Sequence, residues 1–75
     1  MSNRLPSLKA QDIEKALKKI GFFPVRQKGS HRCFKHTDGR FTLVPIHSGE
    51  EIGRGLLSQI LREIELTLEE FLKYV

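Results

Sequence analysis

Three histidines, His31, His36 and His47, are the side chains in this sequence best suited to moving protons near neutral pH. Only His31 follows a sharp turn signal, Gly29-Ser30, and stands among cations, with Lys28, Arg32 and Lys35 beside it. An imidazole of ordinary pKa, about 6.5, exchanges protons readily near pH 7. Set among Lys and Arg, it suits reaction at a phosphodiester. A base takes the proton of a ribose 2′-OH, the oxygen attacks the adjacent phosphorus in line, and an acid protonates the departing 5′ oxygen while cations stabilise the developing charge. From the residues alone, a lone histidine in a basic hairpin is more often a surface or phosphate-contacting group than a catalytic one, and both roles stay open.

His47, between Ile46 and Ser48-Gly49, is the secondary candidate. It approaches His31 if the two strand ends are neighbours, and otherwise it holds the following turn by a hydrogen bond. His36, beside Thr37-Asp38-Gly39, reads as hairpin surface. The amides of Gly29-Ser30 suit an anion, but the chain lacks the longer glycine-rich loop with Lys-Ser/Thr that defines a nucleotide site. Gly53-Arg54-Gly55 is too short for a dinucleotide fingerprint; its glycines would allow the start of a helix to approach another backbone, and its amides could meet a phosphate. One cysteine and three separated histidines match no usual zinc spacing, so neither metal nor cofactor is expected. Cys33, the single cysteine, fits a reducing compartment and reads as a small core filler.

Charge sharpens the picture by its location. The net charge is +4, yet residues 1–47 hold ten Lys and Arg against three acids, whereas residues 48–75 hold three against six. The densest stretch, Arg26 to Arg40, carries Arg26, Lys28, His31, Arg32, Lys35, His36 and Arg40 with Asp38 as its one acid. Such a cluster attracts nucleic acid, because phosphate neutralisation supplies most non-specific affinity. Lys28, Gly29, Ser30, Arg32 and Lys35 are the expected RNA-binding residues around His31. Glu50, Glu51, Glu63 and Glu65 read as solvating charges on the second helix.

These residues need elements to hold them, and 75 residues leave room for one domain, 1–75, with one modest core. Ile13, Ala16, Leu17 and Ile20 recur at helical spacing, with Ser7 as the expected N-cap and Gly21 just past the end. Phe22 to Lys28, His31 to His36 and Phe41 to Ile46 read as three strands of a meander, joined by Gly29-Ser30 and Asp38-Gly39. Alternation in the second strand sets His31, Cys33 and Lys35 against Arg32, Phe34 and His36. Each set mixes apolar with charged groups, and a bulge near Gly29 would shift the phase, so the inward set stays open. From about Glu51 to Leu66 the residues Ile52, Leu56, Leu57, Ile60, Leu61 and Ile64 form a second apolar stripe. Thr67-Leu68-Glu69-Glu70 is a capping box that starts a short terminal helix carrying Phe71. The expected fold is α+β, an α-β-β-β-α chain with a three-stranded antiparallel sheet and a short C-terminal helix. This is the topology of double-stranded-RNA-binding domains, an analogy that assigns no function by itself. Residues 1–12 contain no apolar signal-like run and no stretch is long enough to span a bilayer, so a cytoplasmic location without membrane contact is expected.

Across nearly its full length the chain resembles the HicA family of bacterial toxin–antitoxin modules. The residues that carry the likeness are Leu17-Lys18-Lys19-Ile20-Gly21-Phe22, the Gly29-Ser30-His31 turn, Phe34, Asp38-Gly39 and Val44-Pro45-Ile46-His47. They continue through the Glu51 to Ile64 helix with Gly55 and the closing Thr67-Leu68-Glu69-Glu70-Phe71-Leu72. The resemblance implies a metal-independent mRNA endoribonuclease with His31 as catalytic residue, inhibited by a HicB antitoxin that covers the active face. The competing expectation is a non-catalytic RNA-binding module of the same fold.

Overall fold

Two amphipathic helices need a common apolar surface, and one face of a three-stranded antiparallel sheet supplies it. The structure, a computed structural model, describes residues 8–46 and 51–75. In chain order the elements are β1 (Leu8–Lys9), α1 (Ala10–Ile20), β2 (Phe23–Lys28), β3 (His31–Lys35), β4 (Phe41–Pro45), β5 (Glu51–Ile52), α2 (Arg54–Ile64) and α3 (Leu68–Leu72). The sheet order is β2-β3-β4, and β1 pairs with β5 in a separate two-residue ladder. The expected α-β-β-β-α layout with its terminal helix is present, and the small ladder is an addition to it.

The core is a layer between helices and sheet. Ile13, Ala16 and Leu17 enter it from α1, Leu57, Ile60, Leu61 and Ile64 from α2, and Phe34 and Val44 from the sheet, with Phe22 and Phe71 also buried. Each large apolar side chain so buried contributes roughly 1.5–3 kcal/mol, offset by the entropy of ordering the chain. Among the described residues Thr42 is the buried polar residue of this layer, and its hydroxyl donates to Glu63 at 2.7 Å. Glu63 is therefore a bonding partner of the sheet and not simply a solvating charge.

The ladder explains why both helices start differently from the sequence expectation. Lys9 is held extended opposite Glu51, so α1 begins at Ala10 with Lys9 as N-cap, and the Asp12 carboxylate accepts from the Lys9 amide at 3.1 Å. The expected cap, Ser7, lies outside the described residues. Glu51 and Ile52 likewise belong to β5, so Ile52 reaches the core from a strand, and α2 starts only after Gly53. At its other end α2 stops at Ile64, because Glu65 takes the left-handed conformation with φ 60°. Among the described residues, a Cβ at Gly53 or Gly55 would meet nothing within 4 Å, and the expected close backbone approach is not seen there.

His36 also departs from expectation, being a packing residue and not hairpin surface. Its ring stands edge-on to Phe22 with centroids 5.0 Å apart, and the Arg40 guanidinium lies 5.1 Å from the centre of the same Phe22 ring. Arg40 donates to Asp38 at 2.8 Å and to the carbonyl of Ile64, one of the carbonyls left free at the end of α2. Gly21, the C-cap of α1, is required twice over: its φ is +122°, and a Cβ there would lie 2.9 Å from His36 Nε2. The β3–β4 turn is thereby tied to the ends of both long helices.

The closing helix α3 begins as expected, with the Thr67 hydroxyl accepting from the Glu70 amide at 3.1 Å and the Glu70 carboxylate accepting from the Thr67 amide at 2.9 Å. Glu70 is held below its ordinary value of 4.5, first by the Thr67 amide. Asp38 is held below 3.8, first by the Arg40 amide and then by the guanidinium, with His36 also nearby. Both carboxyls bind protons more weakly folded than unfolded. Their stabilisation is thus complete above the ordinary values and is lost as pH falls through the folded ones. The urea midpoint should drop as pH is lowered from about 6 to about 3, and the double variant Asp38→Asn/Glu70→Gln should show a shallower drop than the parent.

Candidate functional site

Successive side chains of a strand point to opposite faces, so the burial of one residue assigns its neighbours. In β3, Phe34 is completely buried against the helices. Arg32 shares that side and donates to Glu14 of α1 at 3.0 Å. His31, Cys33 and Lys35 consequently face away from the helices, which settles the alternation left open in the sequence. The irregularity in the β2–β3 pairing falls between Pro24 and Arg26, not near Gly29, so the phase around His31 is undisturbed.

Register then builds the open face in rows. Lys28, His31 and Pro45 form the first, Arg26, Cys33 and Leu43 the second, and Phe23, Lys35 and Phe41 the third. Arg26, Lys28, His31, Cys33 and Leu43 line one shallow concavity, and Val25, Arg26, Cys33, Lys35 and Phe41 line an adjoining one. None of the three strands contains an Asp or Glu. The charged side chains that these strands present on the open face are therefore all basic, while at its Phe41 edge the face adjoins a further concavity lined by Asp38, Arg40, Glu63 and Glu65.

The turn that places His31 has a defined conformation. Gly29 has φ +59°, a left-handed value at the first central position of a two-residue hairpin, where glycine is favoured. The Ser30 carbonyl accepts from the Ile46 amide at 2.8 Å, fastening the turn to the end of β4. His31 is therefore exposed on a paired strand, directly opposite Lys28 across the turn. His47 lies outside the described residues.

The basic stretch read from the sequence divides in two. Arg26, Lys28, His31 and Lys35 lie on the open face, whereas Arg32, His36 and Arg40 turn toward the helices and bond to Glu14 or Asp38. Arg32 was expected to contact RNA beside His31, but the pleat carries it to the opposite side, where it joins β3 to α1. Cys33 was expected in the core, yet it sits part-exposed at the centre of the open face. Arg26 and the exposed Phe23, Val25, Phe41 and Leu43 were not singled out as site residues. Their signal was the pairing of Arg26 with Cys33 and of Cys33 with Leu43, which becomes readable only once Phe34 is known to point inward.

A family model described as the HicA toxin of bacterial toxin–antitoxin systems matches residues 10–66, from the start of α1 to just past α2. No curated protein matches the chain.

The two groups of cations should separate experimentally. Lys28→Ala should weaken RNA binding and reduce the slope of log affinity against log salt by about one, with unfolding unchanged. Arg32→Ala should leave that slope intact and cost about 1–3 kcal/mol in urea unfolding, because the Glu14 carboxylate, only 14% exposed, loses its donor.

Proposed function

This chain belongs to the HicA family of toxins of bacterial toxin–antitoxin systems, and on that premise we propose that it is an endoribonuclease that cleaves mRNA without a metal ion, using His31 as general base. As a member of that family it is the toxin of a two-component system and has an antitoxin partner. The observation that carries the enzymatic reading is the exposed His31 at the Gly29-Ser30 turn, on a sheet face whose strands bear cations and no acids.

His31 takes the proton of a ribose 2′-OH, and the freed oxygen forms a bond to the adjacent phosphorus as the bond to the 5′ oxygen breaks. The products are a 2′,3′-cyclic phosphate and a 5′-hydroxyl, the latter completed by a proton from His47 or water. Lys28, with Arg26 behind it in the next row, stabilises the negative charge on the phosphorus oxygens. The amides of Gly29 and Ser30 contact the phosphate backbone at the turn. Lys35 holds the strand further along the sheet. The antitoxin, of the HicB type, inhibits by covering this face, and the protein acts in the cytoplasm. Among the described residues no helix is long and apolar enough to cross a membrane.

The test is cleavage of a labelled RNA in EDTA by the parent protein, His31→Ala and His47→Ala, with folding and RNA affinity checked for each. Cleavage by the parent with cyclic-phosphate ends, falling by at least about a hundredfold in His31→Ala, is the expected outcome. Binding without cleavage by the parent would leave a non-catalytic RNA-binding module, and equal cleavage by His31→Ala would remove His31 from the chemistry. Full activity of His47→Ala would assign the second proton to water.

A further inference from the structure

An antiparallel sheet facing solvent ordinarily covers its outer side with polar groups. Here the outer side instead exposes Phe41 (58%), Val25 (49%), Leu43 (49%) and Phe23 (44%). The third row places Lys35 between the two phenylalanines, with Phe23 paired to it on β2 and Phe41 paired to it on β4. We propose that this row is a base-stacking subsite for single-stranded RNA, receiving nucleobases a short distance along the strand from the phosphate at His31. The proposal rests on the ribonuclease reading for its substrate class, and it adds the residues that select an unpaired strand.

Spacing supports it. His31, Cys33 and Lys35 step along β3 by two residues each, about 7 Å per row, so Lys35 lies about 13 Å from His31. A row step is comparable to the phosphate-to-phosphate step of an extended single strand, which allows phosphates to follow Lys28, Arg26 and Lys35 while bases turn onto the sheet. Phenyl rings offer π-faces that stack on any unpaired base, whereas a duplex keeps its base faces covered and is read through phosphates and 2′-hydroxyls.

Charge separates this occupant from self-association. A second copy of the chain would bring Arg26, Lys28 and Lys35 against their own equivalents, with no carboxylate in these strands to compensate. Cations interleaved with aromatic and apolar groups are the composition of surfaces that track a nucleic-acid backbone and stack its bases. The location of Cys33 between His31 and Lys35 also provides a reporter, since RNA lying across the face must cover its thiol.

The experiment uses the full chain and a short RNA bearing 2′-O-methyl riboses, which lacks the attacking hydroxyl and stays intact. Its affinity is measured single-stranded and as a duplex, for the parent, Phe41→Ala and Phe41→Tyr, together with the rate of Cys33 alkylation. The exposed position of Phe41 keeps the variants folded, and the tyrosine retains the ring. Tighter binding of the single strand, a loss on the order of tenfold in Phe41→Ala, recovery in Phe41→Tyr and slowed alkylation of Cys33 support the subsite. Unchanged affinity in Phe41→Ala overturns it, even if unmodified RNA is still cleaved and the ribonuclease reading survives. Loss of single-strand affinity in Phe41→Ala, in a parent that never cleaves, supports the subsite and removes the ribonuclease. Unchanged RNA affinity with weakened antitoxin binding or self-association assigns the face to a protein and overturns the proposal.

Discussion

The burial of Phe34 is the constraint on which the candidate site depends. With this ring fixed in the core, the two-residue period of β3 leaves His31, Cys33 and Lys35 no choice of face. A slip of one residue would expose the phenyl ring and drive an imidazole and an ammonium toward the core, at a cost the small apolar layer could not offset. The Arg32–Glu14 pair reinforces the same phase from the neighbouring position, joining the strand to α1. Stability and site geometry are therefore set by a single alternation.

The same economy appears in the use of cations. Arg40 bonds the carbonyl end of α2, stacks over Phe22 and engages Asp38, while Arg32 neutralises a carboxylate that is mostly shielded from water. Such groups tie the helices to the sheet and are not free for a ligand. Arg26, Lys28 and Lys35 lie on the other side, paired in register with apolar and imidazole partners. Net charge alone does not distinguish these two populations, although only one of them lies on the open face of the sheet.

Much of the fold could be read from periodic residues. Ile13, Ala16, Leu17 and Ile20 mark α1, Thr67 and Glu70 cap α3, and the Gly29-Ser30 and Asp38-Gly39 turns delimit the strands. The β1–β5 ladder could not be read, because two short extended pieces far apart in sequence carry no period of their own, and it displaced the starts of both long helices. The site was legible as a turn and a histidine, but not as a surface. His31, Cys33 and Lys35 mix charged and apolar character just as Arg32, Phe34 and His36 do, so local pattern could not choose between them. Packing of Phe34 and the contacts of Arg32 and His36 with helix-side partners made that choice.

The chain shares its element order with domains that read double-stranded RNA, yet the histidine lies on the sheet face turned away from both long helices. The proposed RNA contact lies on that face. The most direct measurement is an amide chemical-shift titration of the isotopically labelled protein with single-stranded, 2′-O-methyl RNA. Shifts concentrated at Lys28, Gly29, His31, Cys33, Lys35 and Leu43 are the predicted result. Shifts confined to α1 and α2, with these strand residues unmoved, would contradict it.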